Sequence, residues 1–200
     1  FMNCHDLETV ICYAPLETTN KSIFQECKGL KIVVFVNGVL QMDNYLFNFC
    51  KNLETVWCKN QVERIGIQTF GATHVERLCV NAKDIDINAF TGNEAMKEIH
   101  IRGGVERLNL TAFTILPVIE TICLEGIDPN VIESDWVNLE NSNITILVPE
   151  DTSDEQLAAI GQKFLEAYII TDISQVKRGT CSMPDDSMPD IAEILSAYEI

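Results

Sequence analysis

The sequence predicts a repeat solenoid of short parallel β-strands and turns, closed at its C-terminal end by an α-helix. Three observations carry this. Phe1, Phe24, Phe47 and Phe70 lie 23 residues apart, and Phe90, Phe113 and Trp136 continue the series after one interval of 20. Between these markers a set of apolar positions recurs, and its last three members alternate as in a short half-buried strand. After Pro149 that pattern gives way to apolar residues at helical spacing. Self-similarity at a period of roughly 20 to 50 residues means stacked units, because one unit of that size cannot bury its apolar face without neighbours.

Taken in order, the first slot of each rung lies six residues after its marker and holds Leu7, Leu30, Leu53, Met96 and Ile119. Val10, Val33, Val56, Ile99 and Ile122 fill the next, then Cys12, Phe35, Cys58, Ile101 and Leu124. The rung opened by Phe70 is one residue short here and places Val75, Leu78 and Val80 in these slots. A second apolar segment follows: Val62, Ile65, Ile67 and Phe70 match Val105, Leu108, Leu110 and Phe113, and both runs begin Val-Glu-Arg. A 23-residue rung is too short for two packed helices. Its Gly, Asn and β-branched content suits strands and turns, with strands of successive rungs stacked at about 4.8 Å.

Beyond Pro149, acidic residues with Thr and Ser precede Leu157, Ile160, Phe164, Leu165 and Tyr168, which predicts a helix over Ser153–Tyr168. Such a helix would cover the apolar surface and strand edges of the last rung. The expected organisation is a solenoid of six to seven rungs over 1–149, a capping helix over 150–170, and an acidic tail over 171–200. The tail segment DISQVKRGTCSMPDDSMPD reads as a loop, followed by a short helix within Asp190–Ile200.

The unit FNFCKNLETVWCKNQVERIGIQTF, from Phe47 to Phe70, resembles the leucine-rich repeat of the BspA-like type, and the resemblance extends over about Phe1 to Pro149. The first two rungs have weak second segments and the fourth is shortened. The motif describes core positions, so it is specific for fold and silent on function. The resemblance implies a surface-exposed or secreted adhesion and recognition factor, although a cytoplasmic location remains compatible with the residues.

A net charge of −16 and a pI near 4.4 argue against nucleic acid or an anionic membrane as the main partner. No apolar run reaches the roughly 18 residues of a spanning helix. The chain opens on Phe1 already in phase with the repeat, which suggests a piece of a longer protein. Of the eight cysteines, Cys4, Cys27 and Cys50 each lie three residues after a marker, and Cys12 and Cys58 eleven after one. Slots filled periodically by Cys are expected to need a small apolar side chain rather than disulfides, which leaves the redox compartment open.

Function must lie in positions that the core does not choose. The central outward column of the strands reads Ile11, Val34, Trp57, Cys79, His100 and Cys123. Its flanks read Thr9, Ile32, Thr55, Arg77, Glu98 and Thr121 on one side, and Tyr13, Val36, Lys59, Asn81, Arg102 and Glu125 on the other. Ile11, Tyr13, Ile32, Val34, Val36 and Trp57 form an apolar patch suited to a protein partner, with Lys59 beside it and Arg77, Glu98, His100, Arg102 and Glu125 as a polar rim of mixed charge. A second reading is a structural spacer or scaffold whose patch is covered internally. A distant third is a metal or Cys/His site around His100, flanked by Cys79 and Cys123. No phosphate-binding glycine motif or paired-carboxylate arrangement stands out, and neither a cofactor nor an enzymatic activity is expected. Three N-x-[ST] sequons begin at Asn20, Asn109 and Asn143.

Overall fold

The computed structural model describes residues 1–134, 137, 143–180 and 189–196. Each rung contributes one strand to each of two faces. The concave-face strands are β1 (Thr9–Cys12), β3 (Ile32–Phe35), β5 (Thr55–Cys58), β7 (Arg77–Val80), β9 (Glu98–Ile101), β11 (Thr121–Leu124) and β13 (Thr145–Val148). The opposite face is built by β2 (Leu16–Thr18), β4 (Val39–Met42), β6 (Val62–Ile65), β8 (Ala82–Ile85), β10 (Arg107–Asn109) and β12 (Ile132–Glu133). All pairings are parallel, and the register repeats the sequence period: Val10 faces Val33, Val33 faces Val56, and Leu78 faces Ile99. The solenoid read from the periodicity is the observed fold.

Between the two faces the marker rings form a column. Phe1, Phe24, Phe47, Phe70, Phe90 and Phe113 follow one another with ring centroids 5.4–6.0 Å apart. That is offset-stacking range, and each buried ring also removes a large apolar area from water. Trp136, expected as the next marker, lies outside the described residues. The ring that follows Phe113 at 6.5 Å is Phe164, supplied by the helix α1 (Asp154–Glu166). Thus the cap both covers the last rung and continues its stack. Ser153 is the N-cap, with a reciprocal capping box to Gln156, and Asp154 and Glu155 sit favourably against the helix dipole.

The cysteine slots do more than fill space. Cys27 donates its thiol to the Phe1 carbonyl and Cys50 to the Phe24 carbonyl, each at 3.0 Å. Burial, reinforced by Cys27, pushes the Cys50 thiol up to about 12, so it stays a neutral donor. Cys4, Cys12, Cys27, Cys50, Cys58 and Cys79 are not in disulfides. Cys123 departs from the packing reading: it is disulfide-bonded and fully buried.

The turns around each marker share a backbone rule that the residue types conceal. Two residues after the marker, φ is positive at Asn3, Glu26, Phe49, Ala72, Gly92 and Ile115. Two residues before it, φ is positive at Ser22, Tyr45, Gln68 and Asn88. Left-handed conformations cost L-residues roughly 1–2 kcal/mol each, and the surrounding stack has to enforce them. After Thr171, where the sequence shows no periodicity and predicts a loop, the chain instead adds the strand β14 (Val176–Arg178) beside β13. The short helix α2 (Ile191–Ser196) follows.

Two measurements test this account of stability. Phe90→Ala removes a fully buried ring from the middle of the column and is expected to cost about 3–5 kcal/mol in denaturant unfolding. Ile115→Gly relieves a β-branched residue held at φ 56 while giving up a side chain that is 55% exposed, and is expected to stabilise by up to about 1 kcal/mol.

Candidate functional site: a split concave sheet

The opposite face is one continuous six-stranded sheet, whereas the concave face is two: β1-β3-β5, and then β7-β9-β11-β13-β14. The break falls at the shortened rung. One residue is missing before β7, and two more are missing at the corner that follows it. Only Asn81 joins β7 to β8, where Lys59, Asn60 and Gln61 join β5 to β6 and five residues join β9 to β10. Asn93 holds the rest of this rung in place. Its buried side chain donates to the Thr73 hydroxyl and the Val75 carbonyl and accepts from Ala95 N–H.

The two halves of the concave face differ in chemistry. On the β1-β3-β5 sheet, Tyr13 is 57% exposed, and Ile11, Ile32, Val36 and Trp57 are half-buried around it. Val34 is not part of the open patch. It lies on the middle strand between Ile11 and Trp57 in register, and its neighbours close over it until none of it is exposed. On the other sheet polar residues face one another in oppositely charged pairs. Arg77 pairs with Glu98 at 2.7 Å, and His100 lies 3.3 Å from Glu125. His100 is only 8% exposed, so it is less a solvated rim residue than a wall of the cavity of about 270 Å³ that it forms with Glu125, Pro149, Glu150, Gly179 and Thr180.

The register does place His100 between Cys79 and Cys123, as the outward column predicted. Cys123, held in a disulfide, has no thiolate to offer a metal or a substrate. The Cys/His reading therefore loses one of its members. Among the sequons, Asn20 and Asn143 are exposed. Asn109 is buried, donates to Glu133 and accepts from the Thr111 backbone N–H and hydroxyl, which leaves no room for a glycan in the folded chain.

Sequence reasoning missed the corner contact that spans the break. Gln61 Nε2 reaches past the short rung to the carbonyl oxygens of Gly103 and Gly104, at 3.5 and 3.4 Å, from rung three to rung five. Gly104 makes this possible: φ is +87, and a Cβ there would lie 2.9 Å from Gln61 Nε2. The readable signal was the 20-residue interval beside the Gly103-Gly104 pair.

Burial lowers the pKa of His100; Glu125 pulls it back up and Arg102 pushes it further down, with a net lowering. A base whose folded-state pKa lies below its unfolded value of about 6.5 favours unfolding as it takes up a proton. Stability should therefore decline as pH falls below about 6.5, and the His100 contribution should end below its folded pKa. In chemical denaturation followed from neutral to mildly acidic pH, His100→Gln is expected to show a shallower decline than the parent chain.

Residues 1–97 match the model of the BspA type leucine rich repeat region, in 6 copies. No curated protein matches. Among solved structures, a leucine-rich repeat protein from Bacteroides ovatus ATCC 8483 is 13% identical with a TM-score of 0.41; the match covers 74% of this chain and 57% of that one. The 23-residue period, the paired parallel strands of each rung and the family match coincide over residues 1–97, which are similar to the BspA type leucine rich repeat region.

Proposed function

We propose that the protein is a non-enzymatic interaction module that holds a protein partner against the concave face of β1, β3 and β5. The observation that carries this is the juxtaposition of exposed Tyr13 with half-buried Ile11, Ile32, Val36 and Trp57 on a three-stranded sheet over which, among the described residues, no helix packs. Large apolar side chains held partly open on a rigid sheet provide anchors with little conformational entropy left to lose on binding. Arg77, paired to Glu98, and Lys59 and Arg102 border this patch and supply a polar margin. Leucine-rich repeat solenoids commonly serve protein interaction, and that supports the class of function. An adhesion or recognition role at the cell surface or outside the cell fits the disulfide at Cys123, since such bonds persist in oxidising compartments.

A photoreactive residue placed at Tyr13 is expected to cross-link the partner, whereas the same probe at Glu63, exposed on the opposite sheet, is not. Equal yield from the two faces would refute the proposal. Tyr13→Asp and Trp57→Asp should each keep the circular dichroism of the parent and lose cross-linking at least about tenfold, as expected for anchors worth more than 1.4 kcal/mol. Unfolding of both variants would favour a covered structural face instead.

A further inference from the structure

The missing corner of the fourth rung leaves more than a gap in hydrogen bonding. It opens a cavity of about 110 Å³ that passes between β5 and β7 toward the core. Its inner wall is apolar, with Val56, Ile65, Phe70 and Leu78. Its mouth carries Lys59, Asn60, Asn81 and Arg102. The chain has 30 acidic residues and 14 basic ones, yet this lining contains two cations and not one carboxylate. Among the described residues, no carboxylate forms an ion pair with Lys59, whereas Lys31, Arg64, Arg77, Lys83, Lys97 and Arg107 each have an acidic partner. Lys59 thus places a charge opposite in sign to that of the molecule as a whole beside an apolar recess.

We propose that this cleft is a binding site for a small branched aliphatic group carrying a carboxylate. The volume is somewhat less than the ~150 Å³ of a cavity that accepts benzene, and it suits an isobutyl or isopropyl group. Burying such a group replaces unfilled space with dispersion contacts and removes its apolar surface from water. At the mouth, the Lys59 ammonium and the Arg102 guanidinium supply charge-assisted contacts to the carboxylate, and the Asn60 and Asn81 amides supply neutral donors. A free branched-chain acid and the C-terminal residue of a peptide share this chemistry. The site shares Trp57, Lys59 and Arg102 with the Tyr13 patch and its margin, but its apolar recess of Val56, Ile65, Phe70 and Leu78 lies outside the patch, so the two readings can fail separately.

Titration of the isotopically labelled protein, observed through the Asn60 and Asn81 side-chain amides and the Trp57 indole, tests the assignment. The ligands are 3-methylbutanoate, N-acetyl-leucine, N-acetyl-leucine amide, and an acetylated peptide ending in Leu with its C-terminal amide as control. Saturable shifts with the acids and none with the amides are expected. Tighter binding of the peptide acid than of 3-methylbutanoate would assign a peptide C-terminus as the source, and the reverse a free acid. Lys59→Glu, at an exposed position, should weaken binding by at least about tenfold without altering the melting curve. Inserting two residues between Asn81 and Ala82 restores the usual corner length and should abolish the shifts. No saturable shift at millimolar acid, equal shifts with acid and amide, or unchanged affinity in Lys59→Glu would each overturn the proposal. Cross-linking from Tyr13 that survives Asn60→Asp, a change at the cleft mouth outside that patch, while the acid-specific shifts are lost, separates this result from the protein-docking reading.

Discussion

Rung-to-rung stacking of the marker phenylalanines is the constraint on which the remaining structure depends. From Phe24 to Phe113 each ring is buried because a neighbour lies on each side, whereas Phe1, with a ring on one side only, is exposed, so each rung depends on the next. The same spacing brings parallel strands into register, sets thiols against the carbonyls of the preceding rung, and enforces left-handed turns that most of their residues would not choose. Phe164 shows how general the requirement is: the cap joins the solenoid by contributing a ring from a helix.

Stacking also separates what must be regular from what need not be. The ring column and the six-stranded face run through the shortened rung without interruption, with Phe70 and Phe90 at 6.0 Å and β6 paired to β8. The concave ladder is where the lost residues are absorbed. On the continuous face, Arg64 and Arg107 bracket Asp84 and Asp86 at 2.5–3.6 Å across successive rungs. Although burial opposes it, the hydrogen bond from Arg64 and the adjacent charges hold the Asp86 carboxyl below the usual range. One face is therefore tied from rung to rung by backbone and charge, and the other is free to open.

The architecture was legible because its core positions repeat by residue type: a Phe, then Leu or Met, then alternating β-branched residues. Other features were not, for identifiable reasons. The left-handed slot after each marker is filled by Asn, Glu, Phe, Ala, Gly and Ile, which share no side-chain property, so only the backbone reveals it. Alternation correctly placed Val34 and His100 on the outward column, but it says nothing about how far neighbours on a curved sheet cover them. β14 pairs in parallel with β13 through a three-residue run, VKR, that has only one buried position and hence no period to read. Gln61 meets Gly103 and Gly104 only because an intervening corner is missing, a contact that depends on an absence of residues rather than on a motif.

The shortened rung thereby shows a route to novelty peculiar to stacked repeats. In most folds the loss of three residues from a structured segment propagates through the core; here two faces share the work, and the loss dents one of them. A recess with its own lining arises without any substitution in the ring column, and neighbouring corners that never touched before are brought within reach across it. Length variation within a single unit, as well as the replacement of surface residues, is a means by which such a chain can acquire new recognition chemistry.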